Sequence, residues 1–221
     1  MNKYRITARV VGVIYLAGFV VGIAGNLMIQ SILGETNRLS AISANSMTLA
    51  IGASLWLMAV AGDAAHGVLM FPILKQQSER MAIGYLAARI VDAVFIAIMV
   101  LLILIQIPLG SELLNASSTG EASYLQSLST VFAKSQQYAY EIGMISLGVA
   151  GLMLCYTLYR TKLVPRWLAL WGIVGYASIF CGMVSAIMGS GLGDVFSIPG
   201  GLWEVFMGVW LIVKGFNEQT L

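Results

Sequence analysis

The sequence predicts an all-α polytopic membrane protein: one domain over residues 1–221, folded as a bundle of six transmembrane helices with both termini cytoplasmic. Three observations carry this reading. Charged residues make up only 10% of the chain and mean hydropathy is +0.87, whereas a soluble domain carries about 25% charged residues to cover its water-facing surface. Six apolar segments are each close to the roughly 20 residues a helix needs to cross a bilayer. All four prolines (Pro72, Pro108, Pro165 and Pro199) fall at the edges of those segments, where proline is tolerated.

The segments run roughly over 8–29, 47–72, 82–107, 138–159, 167–188 and 198–214. The first follows Lys3, Arg5 and Arg9 and so looks like a signal peptide. Its uncharged run, Val10 to Gly34, exceeds the apolar stretch of about 7–15 residues that such peptides use, so it reads as a retained span. The second and third are joined by a short basic connector, Lys75–Arg80. The third and fourth are joined by the long connector 108–137, where Ser118 and Glu121 have capping-box spacing and Tyr124, Leu125, Leu128, Val131 and Phe132 share a helical face. A short amphipathic helix is predicted there, lying on the membrane surface or capping the bundle, with a lid over a cavity as the functional alternative. The sixth span is interrupted by Glu204 and entered through Pro199-Gly200-Gly201.

Lys/Arg bias sets orientation. With the N-terminus cytoplasmic, the inner segments hold nine basic residues (Lys3, Arg5, Arg9, Lys75, Arg80, Arg160, Lys162, Arg166 and Lys214), and the outer loops hold two, Arg38 and Lys134. Gly18 and Gly22 in the first span, and Gly201, Gly208 and Gly215 in the last, have the spacing that lets helix backbones approach closely. They serve packing within the bundle or a homodimer. The net charge of +2, without a basic stripe interleaved with aromatics, excludes a nucleic-acid partner. Cys155 and Cys181 lie in apolar helices and act as small hydrophobes.

The candidate site comes from charge inside the spans. Asp63 and His66 sit in the second and Arg89 and Asp92 in the third, on either side of the connector. Members of each pair are three residues apart and share a helix face. Folding at the connector puts Asp63 level with Asp92 and His66 level with Arg89, roughly 18 Å from the inner interface for the two aspartates. Glu204, ten residues before Lys214, reaches a similar depth, roughly 15 Å. Arg9 can join from below. Glu141, beside Tyr138, lies near the outer interface and could line a mouth. Each mid-membrane charge costs about 2.5–3.5 kcal/mol, so pairing is required. Three readings stay open: a hydrated pocket for a proton, cation or small polar or amphipathic molecule; an interaction or sensor subunit with a purely structural charge network; and a membrane enzyme acting on lipid or quinone with Asp63–His66 as acid–base pair.

Several chemistries lack their residues. Bis-histidine haem needs two His and the chain has one; quinone reduction of the thioredoxin-coupled kind needs C-x-x-C; a zinc hydrolase of the ceramidase and adiponectin-receptor kind needs H-x-x-x-H on a late helix. No catalytic residue, metal site or cofactor is assigned.

Three motifs carry a resemblance. They are Arg9-x-x-Gly12-x-x-Tyr15-Leu16, the inner connector Leu158-Tyr159-Arg160 to Val164-Pro165-Arg166-Trp167-Leu168, and Pro199-x4-Glu204-x5-Trp210-Leu211-Ile212-x-Lys214-Gly215-Phe216. Together and in order, over most of the chain, the sequence resembles the bacterial membrane family known as domain of unknown function 4386. The resemblance implies a six-span, multi-pass protein of the bacterial cytoplasmic (inner) membrane and draws attention to Arg9, Glu204 and Lys214. It implies no activity.

Overall fold

The computed structural model describes residues 3–217, and among these every regular element is a helix. The chain order is α1 (Lys3–Leu33), α2 (Arg38–Ala44), α3 (Ser46–Lys75), α4 (Glu79–Leu104), α5 (Gln106–Asn115), α6 (Thr119–Thr161), α7 (Arg166–Ile187) and α8 (Gly193–Val213). Six helices are long and apolar enough to cross a membrane, with α4 and α5 following one another through Glu79–Asn115. The protein is a membrane-spanning helical bundle.

The six long helices close into a ring. Each of α1, α3, α4, α6, α7 and α8 packs on its neighbour in the chain, and α8 returns to α1. Short turns enforce the antiparallel path. Between α3 and α4, Ser78 caps α4 by accepting from the Met81 N–H at 3.4 Å. Between α6 and α7, Lys162 takes a left-handed conformation (φ 57°) and Pro165 opens α7. Backbones touch where glycine permits it: a Cβ on Gly12 would lie 2.5 Å from the Gly208 carbonyl oxygen, and one on Gly25 2.8 Å from that of Gly52.

The packing glycines differ in part from the expected ones. Gly208 packs as predicted, but Gly18 and Gly22 meet nothing within 4 Å, and α1 uses Gly12 and Gly25 instead. Gly215 lies beyond α8 with φ 75° and turns the chain rather than packing a helix face. The spacing of small residues does not reveal which helical face a neighbour covers.

The connector between the third and fourth spans also differs. A separate surface helix is predicted, yet α6 runs unbroken for 43 residues, about 65 Å, because no proline lies between Ser118 and Thr161. Ser118 accepts from the Glu121 N–H at 3.2 Å, and the Glu121 carboxylate accepts from the Ser117 N–H and hydroxyl at 2.9 and 3.0 Å. The inward stripe is Leu125, Leu128, Ser129, Phe132 and Gln136, while Tyr124 and Val131 point outward. This extension packs on α5, which also packs on α2, a helix the sequence reading lacked. Arg38 caps α1 by donating from Nε to the Leu33 carbonyl at 2.9 Å. Pro72 and Pro199 lie inside α3 and α8, not at their edges.

Two apolar cores form along the bundle. One, toward the basic end that carries the α3–α4 and α6–α7 turns, gathers Val11, Met70, Ile73, Ala82, Leu154, Leu168, Trp203 and Met207. The other, at the far end, gathers Ile29, Ile42, Leu49, Ile96, Val100 and Ile103. On α3 and α4 the charged residues fall in the seam between them. Asp63 and His66 lie between Ala53 and Met70, and Arg89 and Asp92 lie between Tyr85 and Ile96.

Candidate functional site: a guanidinium fork and an aromatic belt

Arg89 is the centre of the seam. Its stem crosses α3 at Gly67, where a Cβ would stand 3.1 Å from the Arg89 Cβ. The missing side chain is what lets an arginine lie between these helices. The guanidinium then forks: Nη2 donates to Asp63 Oδ1, and Nη1 donates to Asp92 Oδ2 at 3.1 Å. The Arg89 and Asp92 side chains are only 6% and 3% exposed, while Asp63 is 35% exposed. Arg89 Nε is buried without a hydrogen-bond partner. An arginine suits this place, since its planar fork satisfies two carboxylates at once.

Asp63 and Asp92 lie at matching depths, as expected, and Arg89 joins them. His66 meets Tyr85. Asp63 lies twelve residues before the end of α3 and Arg89 ten after the start of α4, so they differ in height by only about 3 Å.

His66 begins an aromatic belt. Its Nδ1 is hydrogen-bonded to the Tyr85 hydroxyl, and its buried Nε2 has no partner. The Tyr15 ring packs edge-on against the imidazole with centroids 4.5 Å apart. Tyr15 meets Trp203 at 6.3 Å, and Trp203 meets Tyr176 at 5.3 Å, both edge-to-face. This belt links α4, α3, α1, α8 and α7 across the ring. Edge-to-face pairs of this kind add about 0.5–1.5 kcal/mol each beyond their burial.

Glu204 closes the far side of the belt. It accepts from the Tyr176 hydroxyl at 2.7 Å. The preceding residue fixes its helix: the Trp203 indole N–H donates to the Leu168 carbonyl at 2.7 Å. Glycines make the room. A Cβ on Gly172 would lie 2.6 Å from the Trp203 ring, and one on Gly151 2.1 Å from the Tyr176 ring.

The structure thus brings Asp63, His66, Arg89 and Asp92 together on α3 and α4 and sets Glu204 across the belt. Arg9 is exposed and Tyr138 is 51% exposed, so neither side chain is enclosed in the bundle. Glu141 is buried, at 4% exposure; it accepts from Gln137 at 3.0 Å and has one carboxylate oxygen unpartnered. Sequence reasoning missed Tyr85, Tyr176 and Trp203. A signal was present, because a hydroxyl or indole N–H in mid-span demands a polar partner, and Tyr85 lies one turn before Arg89.

The comparisons with known proteins give a family and no activity. No curated protein and no solved structure matches the chain. Residues 10–215 match the family described as Domain of unknown function (DUF4386). The match takes in most of α1, the α3–α4 charge seam and Glu204 on α8, and the chain belongs to that family.

Proposed function

We propose that the polar seam between the two apolar cores, with Glu204 across the belt, is an intramembrane site that binds, and exchanges across the bilayer, a proton or a small cation. The observation that carries the reading is the partnering of the three acids. Arg89 serves Asp63 and Asp92, whereas Glu204 has a hydroxyl and, among the described residues, no basic group within ion-pair distance. A lone carboxylate at this depth is neutralised by a proton or a cation, because its charged form is costly there. Asp63 supplies the second exchangeable group, since its side chain is a third exposed while its partners are enclosed. In this mechanism Arg89 holds Asp92 as a fixed counter-charge. Asp63 and Glu204 trade the exchanging ion across the aromatic belt, and His66 offers its free Nε2 as a relay.

On the same reading, we propose a place in the bacterial inner membrane with both termini cytoplasmic, supported by the distribution of basic residues. Arg5, Arg9, Lys75, Arg80, Arg160, Lys162, Arg166 and Lys214 all gather at or near one end of the bundle, the distribution that faces the cytoplasm.

One observation favours a second reading, a purely structural network: the Arg89 fork satisfies both neighbouring aspartates and ties α3 to α4. A flux measurement separates the two. The protein is reconstituted in liposomes loaded with a pH-reporting dye, and a sodium or potassium gradient is imposed. Cation-dependent proton movement is expected in the wild type and its loss in Glu204→Gln and Asp63→Asn, both still inserted. Wild-type flux no greater than in empty liposomes, or flux unchanged in both variants, removes the exchange reading and leaves the structural one.

A further inference from the structure

At the basic end of the bundle, two segments fifty residues apart build one cavity of about 500 Å³. After α6, the left-handed Lys162 reverses the chain and the buried Leu163 and Val164 lead into Pro165 and α7. After α8, Gly215 turns the chain back, Phe216 is buried, and the Asn217 N–H donates to the Leu163 carbonyl at 2.8 Å. Two of the three motifs that carry the family resemblance are thereby stitched together, around a space that the charge seam does not use.

The lining has one sign of charge. Lys162, Arg166 and Lys214 edge the cavity, and no carboxylate lines it among the described residues. Lys162 and Lys214 follow the C-terminal ends of α6 and α8, where a cation is favourable in any protein. Arg166 is different. It is the first residue of α7, at the positive end of that helix dipole, and the cap residue Pro165 supplies no side-chain acceptor for the free N–H groups. The Arg166 guanidinium, over the Tyr159 ring at 5.3 Å, and the start of a 22-residue helix without a side-chain cap lie beside one cavity, an arrangement that an anion relieves.

The wall also has an apolar side. Trp210 lines the cavity and meets Trp167 with centroids 6.3 Å apart, and Trp167 meets Phe206 at 5.6 Å. Trp167 and Phe206 are 53% and 40% exposed on the outer face of α7 and α8. A ligand with a phosphate at one end and hydrocarbon at the other fits this pairing of a cationic cavity and an adjoining aromatic face. We infer that the cavity is a binding site for the phosphate headgroup of an anionic phospholipid, with the acyl chains lying over Trp167 and Phe206.

The test is native mass spectrometry of the full-length protein released from neutral detergent, titrated with phosphatidylglycerol, with phosphatidylcholine and with inorganic phosphate. Phosphatidylglycerol is expected to bind at least fivefold more tightly than phosphatidylcholine. Lys162→Asn with Lys214→Gln should weaken it by about fivefold per charge removed; asparagine is chosen because it tolerates the left-handed conformation. Lys214→Gln alone, at an exposed position, provides a variant whose folding is not at stake, with a fivefold loss expected. Equal binding of the two lipids, or an unchanged preference in Lys214→Gln, overturns the inference. Displacement of phosphatidylglycerol by equimolar inorganic phosphate overturns the lipid assignment and gives the site to a soluble phosphate.

Discussion

Gly151 of α6 lies flat against the ring of Tyr176 on α7, so closely that a Cβ at Gly151 would fall 2.1–2.3 Å from three ring carbons. That contact aims the Tyr176 hydroxyl at Glu204. Gly151→Ala must displace the ring, and Tyr176→Phe removes the hydroxyl with the ring kept. Overpacking costs typically about 1–3 kcal/mol, while loss of one hydrogen bond to a half-buried carboxyl group costs about 0.5–1.5 kcal/mol. Both variants are expected to lower thermal stability in detergent, Gly151→Ala by the larger amount. Combined, they should cost less than the sum, because the alanine already disrupts the contact that the phenylalanine lacks. Full additivity in the double variant would mean that Gly151 does not act through Tyr176.

The Arg89 fork makes a sharper energetic prediction. Removing one member of a buried ionic network leaves uncompensated charge and costs about 3–5 kcal/mol. Arg89→Met is therefore expected to be severely destabilising, since it strands Asp63 and Asp92 between two apolar cores. Asp63→Asn and Asp92→Asn added to it should recover most of the loss, because the triple variant has no buried charge left at the seam. The measurement is urea or heat unfolding of the purified protein in one detergent. A triple variant no more stable than Arg89→Met would show that the guanidinium stabilises by packing alone.

Which parts of this structure could be read from sequence follows from the range of the forces involved. The spans were legible because hydropathy over some twenty residues is a local quantity, and α3, α4 and α7 end within a few residues of their predicted limits. The charge seam was legible for the same reason: Asp63, His66, Arg89 and Asp92 lie on adjacent helices joined by a tight turn, so their meeting needs only helix geometry. The belt was not, because Tyr15, Trp203 and Tyr176 meet only when α8 closes on both α1 and α7. Nothing local in their surroundings encodes that closure. The unbroken length of α6 was hidden by composition. Its first turns are polar enough to read as a loop, and helical continuity there depends on the absence of a breaker rather than on an apolar run.

Ring closure itself rests on α1 and α8, and two glycines of α1 test it by contrast. Gly12 faces Gly208 and Ile212 with no room for a methyl group, whereas Gly18 meets nothing within 4 Å. In an open helical site, Gly→Ala is favourable by about 1 kcal/mol through backbone entropy. Gly18→Ala should therefore raise or preserve stability. Gly12→Ala should lower it by about 1–3 kcal/mol, because the added carbon would press on the Gly208 carbonyl oxygen and separate the helices. A disulfide between cysteines placed on α1 and α8 beside this contact should form readily in the wild-type background and poorly with Gly12→Ala. The same pair bears on self-association. A homodimer built on the open Gly18–Gly22 face would be broken by Gly18→Leu, seen as a shift to the monomer mass in light scattering, while a monomer that leaves this face to lipid would be unaffected. If Gly12→Ala proved as stable as Gly18→Ala, the close α1–α8 contact would not be what holds the ring shut.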